Sequence, residues 1–154
     1  MKKSIIIIFS IAVCLLIGIT ASYLQSDSIS TWYPLLEKSP LSPPNMVFPI
    51  VWSILYVLMG ISIGLILIGN HPKRTPIVLI FAIQLMLNFL WSFTFFYLQS
   101  PLAGLIDILL LDIVVIVYVF KSFSVNRASA WLCVPYLAWL ALATHLNWYV
   151  WQFN

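Results

Sequence analysis

Five apolar stretches, near Ile5–Leu24, Val47–Gly69, Ile77–Leu98, Leu102–Phe120 and Ala128–Trp151, take up most of the 154 residues and leave the chain few ways to fold. Each is about 20 residues long, and a helix rising 1.5 Å per residue then crosses the roughly 30 Å of hydrocarbon in a bilayer. Charged residues are 7% of the chain, against about a quarter in a soluble domain. With a mean hydropathy of +1.07, there are too few polar groups to wet the surface of a globule. Barrel strands would be about 10 residues with alternating polarity, and no such alternation is present. The sequence therefore predicts an all-α integral membrane protein, a single domain over 1–154 built as a five-transmembrane-helix bundle.

The breaks carry loop punctuation: "NHPKRTP" after the second run, "QSP" after the third and "KSFSVNR" after the fourth. The first run has a second reading, since "MKKSIIIIFSIAVCLLIGITAS" has the basic start and apolar middle of a secretory signal. Its apolar length exceeds the usual 7–15 residues of such a signal, which favours a retained helix. Orientation follows from charge. Lys2, Lys3, Lys73, Arg74, Lys121 and Arg127 fall on one side of a five-span topology and Lys38 alone on the other. Positive residues stay inside, so the N-terminus is expected in the cytoplasm, with the C-terminus and the loop 25–46 outside. The pI of about 9.0 reflects this asymmetry and predicts no nucleic-acid partner.

Several chemistries are excluded. There is no phosphate-binding loop for an ATP-driven pump. Cys14 and Cys133 stand singly in apolar runs and read as core thiols. His71 and His145 have no companions at ligand spacing, so no metal site is expected. What remains is aromatic and polar side chains at membrane depth. In the fifth run, Tyr136, Trp139, Ala143, Leu146, Asn147 and Val150 share about a third of the helix circumference. Trp148 and Trp151 lie off this face and read as interfacial anchors. A large ring at Trp139 with Ala143 one turn away forms either a recess or ordinary helix packing. The second run repeats the pattern with Trp52, Tyr56, Met59, Gly60 and Ile63. The third aligns Gln84, Asn88, Trp91 and Phe95. Lipid offers amides no partner, so Gln84 and Asn88 should face the interior, either to bond other helices or to orient a polar group of a ligand.

Asp107 and Asp112 in the fourth run lie roughly 140° apart on a helix and so form no carboxylate dyad. Each needs a partner, water or a proton, and His145 lies at a depth where it could meet Asp107. The outer loop "WYPLLEKSPLSPPNMVFP" holds five prolines in eighteen residues, which restrict the backbone. With Trp32, Tyr33 and Leu35 needing cover, it reads as an ordered lid.

Taken together, "WYPLLEKSPLSPP", "VFPIVWSILYVLMG", "QLMLNFLWSFTFF", "LIDILLLD" and "PYLAWLALATHLNWYVW" resemble the translocator protein family, also called tryptophan-rich sensory proteins or peripheral-type benzodiazepine receptors. The resemblance spans essentially the whole chain, in a bacterial style. It implies a five-helix bundle, usually a homodimer, that binds porphyrins (tetrapyrroles), sterols and isoquinoline-carboxamide or benzodiazepine-type ligands. Porphyrin is then a ligand, not a resident cofactor. Trp52, Asn88, Trp91 and Trp139 match positions lining the family's pocket, as do Tyr33, Tyr56, Ala143 and Leu146, and the first loop matches its lid. Trp52 and Trp139 also match tryptophans implicated in the light-dependent porphyrin degradation of some bacterial members.

Three features depart from the family pattern. The loop motif K-P-x-W-x-P-P is here Lys38-Ser39-Pro40-Leu41-Ser42-Pro43-Pro44. The C-terminal sterol pattern has Tyr149 but no basic residue after it. Asp112 and His145 are not expected at their positions. Gly60-x-x-x-Gly64 is a small-residue pair on the pocket stripe, which makes it a poor guide to a dimer interface. The leading expectation is a receptor or carrier in a bacterial cytoplasmic membrane. The alternatives are a photo-oxidative enzyme using Trp52 or Trp139, and a structural membrane protein whose aromatics only pack.

Overall fold

The computed structural model describes residues 2–154. Five helices make up nearly all of it: α1 (Lys3–Thr31), α2 (Val47–Ile68), α3 (Arg74–Tyr97), α4 (Pro101–Phe123) and α5 (Arg127–Phe153). All five are long and apolar enough to span a membrane, and no strand occurs among the described residues. A helix closes its backbone hydrogen bonds within itself, as hydrocarbon demands. Local chemistry sets the ends. The Ser100 hydroxyl accepts from the Ala103 N–H ahead of Pro101, and the Asn126 side chain accepts from the Ser129 N–H at 3.0 Å. Both are N-caps of the kind that satisfy otherwise orphaned donors.

Two helices depart from simple rods. α1 does not stop with its apolar run at Leu24 but continues to Thr31, so the first part of the expected loop is helical. No proline or glycine interrupts the stretch before Pro34, and Ser28 is tied down across the bundle. At 29 residues this helix is about 44 Å long and outruns the hydrocarbon. α5 is broken at Cys133 into Arg127–Leu132 and Val134–Phe153. Pro135 has no N–H with which to continue the ladder, and its ring crowds the preceding turn.

Around the bundle the order is α1–α2–α5–α4–α3, with α3 returning to α1. Gly60 and Gly64 seat α1 on α2. A Cβ at Gly60 would strike the Ile11 backbone, and one at Gly64 would lie 3.0 Å from the Ile7 Cα. The glycine pair is thus used inside the chain. The core runs through Met59, Ile66, Ile108, Leu111 and Leu140, all fully buried, while Ile8, Phe9, Leu16 and Ile113 face outward. Toward the end of the bundle that carries Lys73 and Arg127, here the basic end, Ser62 of α2 joins Tyr118 of α4 and Ser129 of α5. The Ser62 hydroxyl oxygen shares a hydrogen bond with the Tyr118 hydroxyl at 2.8 Å and lies 2.9 Å from that of Ser129. The Ser129 hydroxyl donates to the Ser62 carbonyl at 2.9 Å and the Ser62 hydroxyl to the Ser129 carbonyl at 2.8 Å.

Candidate functional site

At the opposite end, under the first loop, Trp52 is the hub of an aromatic cluster. Its ring lies 5.8 Å from Tyr56, 6.2 Å from Trp91, 6.2 Å from Tyr136 and 6.5 Å from Trp139, centroid to centroid, and stands perpendicular to Trp139. These are edge and tilted geometries of the kind aromatic pairs favour. α2 presents Trp52 and Tyr56 one turn apart, α3 presents Asn88 and Trp91, and α5 presents Tyr136 and Trp139, each pair on an inward stripe. Gly18 of α1 gives the Tyr56 ring its room, because a Cβ there would overlap the ring.

Asn88, 2% exposed, is the polar centre. Its Oδ1 accepts from the Tyr56 hydroxyl and its Nδ2 donates to the Tyr136 hydroxyl at 2.9 Å. This couples α2, α3 and α5 through one amide. Trp91 is fixed similarly: its Nε1 donates to Asn147 Oδ1 at 2.9 Å, and Asn147 Nδ2 donates to the Pro101 carbonyl at 2.8 Å. Gly104 lets α4 approach at this point, since a Cβ there would sit 2.8 Å from the Phe95 Cβ and 3.0 Å from Asn147 Oδ1. In contrast, the indole Nε1 of Trp139 is buried with no acceptor. Such groups are uncommon, because an unmet buried donor costs about 1–3 kcal/mol.

α3 ends in a π-turn, Phe93–Tyr97, where the Leu98 N–H reaches back to the Phe93 carbonyl at 2.9 Å. Wider turns of this type often occur at functional sites. Here the turn aims Phe95 and Phe96 at the loop, and the Ser28 hydroxyl of α1 donates to the Phe96 carbonyl at 2.7 Å.

The loop closes over this end. Trp32 packs on Phe95 at 5.6 Å, and Tyr33 packs on Phe96 at 5.7 Å. Lys38 Nζ lies 5.0 Å over the Tyr33 ring. Glu37 and Asn154 pair reciprocally: the Glu37 N–H donates to Asn154 Oδ1 at 2.8 Å, and Asn154 Nδ2 donates to the Glu37 carbonyl at 3.1 Å. Ser39 shares a 3.1 Å hydrogen bond with His145 Nε2. Two of the departures from the family pattern, Ser39 in the loop motif and His145 on α5, thus meet each other. The conjectured pairing of His145 with Asp107 is not formed. Asp107 is 8% exposed and its Oδ2 has no partner, whereas Asp112 accepts from the Thr144 hydroxyl at 2.8 Å. Asp112 thus meets α5, and Asp107 lies about 140° from Asp112 around α4.

Burial under Phe95 and Phe96 raises the Tyr33 pKa above its ordinary 10.0. The closed lid thus favours the neutral phenol. Its contribution to lid stability is complete below about 10, the value in an open chain, and is lost as pH rises through the higher folded-state value. Subtracting the alkaline titration of Tyr33→Phe from that of the unaltered protein, read as phenolate absorbance in the near ultraviolet, should leave one group ionising above 10.0. A midpoint at the ordinary value would put this ring in water.

All eight residues singled out from the sequence lie in this half of the bundle. Tyr56, Asn88, Trp91, Ala143 and Leu146 are buried; Tyr33, Trp52 and Trp139 are partly so. Four ring centroids lie within 6.5 Å of that of Trp52. An open groove of about 370 Å³ lies instead on the outer side, where α2 and the second part of α5 diverge, lined by Val51, Ile54, Leu55, Leu58, Pro135, Ala138 and Trp139. Sequence reasoning left Tyr136, Asn147, Gly18 and Ser28 out of the site. The first two were marked by their place on the α5 stripe, while nothing local marks the other two.

A five-span membrane bundle with a tryptophan-centred cluster under an ordered loop is the class of protein this fold defines. The chain belongs to the TspO/MBR family, whose pattern matches residues 10–152. It is 38% identical to the tryptophan-rich protein TspO of Chlorobaculum tepidum, covering 99% of this chain and 98% of that one. It is 35% identical to the translocator protein of Bos taurus, covering 87% and 80%. It is 29% identical to the tryptophan-rich sensory protein of Cereibacter sphaeroides, covering 94% and 88%.

Proposed function

We propose that this protein is a membrane receptor or carrier for porphyrins and related flat apolar ligands, with its basic end in the cytoplasm and its lid outside. The observation that carries the reading is the Trp52 hub, with one buried indole N–H, that of Trp139, left without an acceptor. A planar macrocycle offers π-faces to Trp52 and Trp91 and an acceptor to Trp139. With four ring centroids within 6.5 Å of its own, Trp52 must swing aside to admit a macrocycle between them. The relatives' names, translocator and sensory protein, support carriage or reception. The six cations at the end away from the lid support the orientation.

The test is titration of the purified protein with protoporphyrin IX in darkness, followed by illumination. Saturable quenching of tryptophan emission, weakened about tenfold by Trp52→Ala as one aromatic pair is lost, with a stable porphyrin spectrum in light, is the expected result. Trp139→Phe should keep most of the binding, because a phenyl ring still packs, and should weaken it by no more than the one hydrogen bond that the indole N–H supplies. Loss of the porphyrin's main absorption band in light, abolished by Trp139→Phe, would assign the enzyme reading instead. Quenching that never saturates would leave only packing aromatics.

A further inference from the structure

We infer that the basic end of the bundle holds an anionic phospholipid in the groove between α1 and the junction of α2 with α3. The groove is about 410 Å³, lined by Ile6 and Phe9 of α1, Leu67 of α2 and Val78 of α3, with Ser10, Arg74 and Thr75 as its polar residues. That volume falls in the range of small-molecule sites, about 300–1,000 Å³. The Ser10 hydroxyl is occupied by the Ile6 carbonyl at 2.8 Å. Recognition therefore falls to Arg74 and the exposed Thr75 beside it.

Arg74 is docked by one nitrogen. Its Nη1 reaches the carbonyls of Leu67 and Gly69, both at 3.4 Å, where α2 ends. This holds the guanidinium at the groove and leaves Nε and Nη2 for an outside acceptor. A phosphate takes a guanidinium in a bidentate fork.

No anion of the protein can occupy that place. The four acids are Asp27 and Glu37 at the lid end and Asp107 and Asp112 within α4. The basic end carries Lys2, Lys3, Lys73, Arg74, Lys121 and Arg127 and no carboxylate. The complementary molecule must be negative at its head and apolar below it, and it must reach the groove from the bilayer. A phospholipid with an anionic head meets all three demands, and basic pockets between helices take such head groups. A soluble phosphate would satisfy Arg74 but leave Ile6, Phe9, Leu67 and Val78 uncovered.

The test is retention of lipid by the full-length protein, extracted from vesicles of equal phosphatidylglycerol and phosphatidylcholine and weighed intact with its bound lipid. One phosphatidylglycerol should be kept with about fivefold preference, the equivalent of roughly 1 kcal/mol for one basic residue near the surface. Arg74→Gln should abolish the preference, and Val78→Trp, which fills the groove, should abolish retention. Lys121→Gln should change neither. Should Val78→Trp fail to fold, the Arg74→Gln and Lys121→Gln pair decides alone. Equal retention by Arg74→Gln and the unaltered protein overturns the inference. So does a loss in Lys121→Gln as large as in Arg74→Gln, which would mean a diffuse basic surface. Displacement of the lipid by soluble glycerol phosphate would reduce the site to a phosphate site.

Discussion

Replacing Asn88 with leucine is expected to destabilise the bundle by about 1–3 kcal/mol, the sum of two interhelical hydrogen bonds in a membrane protein. The amide accepts from Tyr56 and donates to Tyr136, so its removal leaves two buried hydroxyls without partners. Removing all the polar groups together should hurt less than removing the centre alone. Asn88→Leu combined with Tyr56→Phe and Tyr136→Phe should therefore recover most of the loss. Unfolding midpoints in detergent of the single and triple variants provide the check. Equal losses would mean that the amide stabilises by filling space and not by bonding. Porphyrin affinity adds a second reading. If it stays low in the stable triple variant, the amide also meets the ligand; if it returns with stability, the role of Asn88 is to hold three helices in place.

Gly60→Leu should cost more, about 3 kcal/mol or above, beyond the usual 1–3 kcal/mol of overpacking. What the new Cβ meets is the Ile11 main chain, with the Ile11 nitrogen 2.8 Å away, and a backbone cannot swing aside like a side chain. α1 would have to lift from α2, taking Gly18 away from the Tyr56 ring, so the aromatic cluster should loosen at the same time. Gly69→Ala is the comparison. Its nearest neighbours would be 3.5 and 3.7 Å away, ordinary contact, and its unfolding midpoint should match the unaltered protein within error. If the two variants unfold alike, α1 is not seated through Gly60.

These two positions also show what could be read in advance. Asn88 was legible because an amide is expensive in hydrocarbon and its neighbours Gln84 and Trp91 repeat at helical spacing, so its inward face followed from the letters. Its partners did not follow, since they depend on how α2 and α5 approach α3. Gly60 carried the opposite problem. Its spacing to Gly64 announces a close contact but not whether the visitor is another copy or, as here, α1. The length of α1 was misjudged because the apolar signal ends where the hydrocarbon ends, while the helix is carried further by the absence of a breaker and by the Ser28 bond to Phe96. Pro135 was visible and marks the break in α5, yet its result, the parting of α2 from the upper α5, appears only in three dimensions. The meeting of Ser39 with His145 joins residues far apart in the chain, and no local pattern encodes it.

That parting has a kinetic meaning. The lid is latched by the Glu37–Asn154 pair and by Ser39 on His145, while the groove beside Trp139 opens sideways toward lipid. If the protein receives flat apolar ligands as proposed, a molecule dissolved among acyl chains would reach Trp139 by diffusing in two dimensions and need not unlatch anything facing water. Its arrival rate would then be governed by the fluidity of the bilayer and its residence time by the aromatic cluster, two quantities that membrane composition and protein sequence can adjust independently.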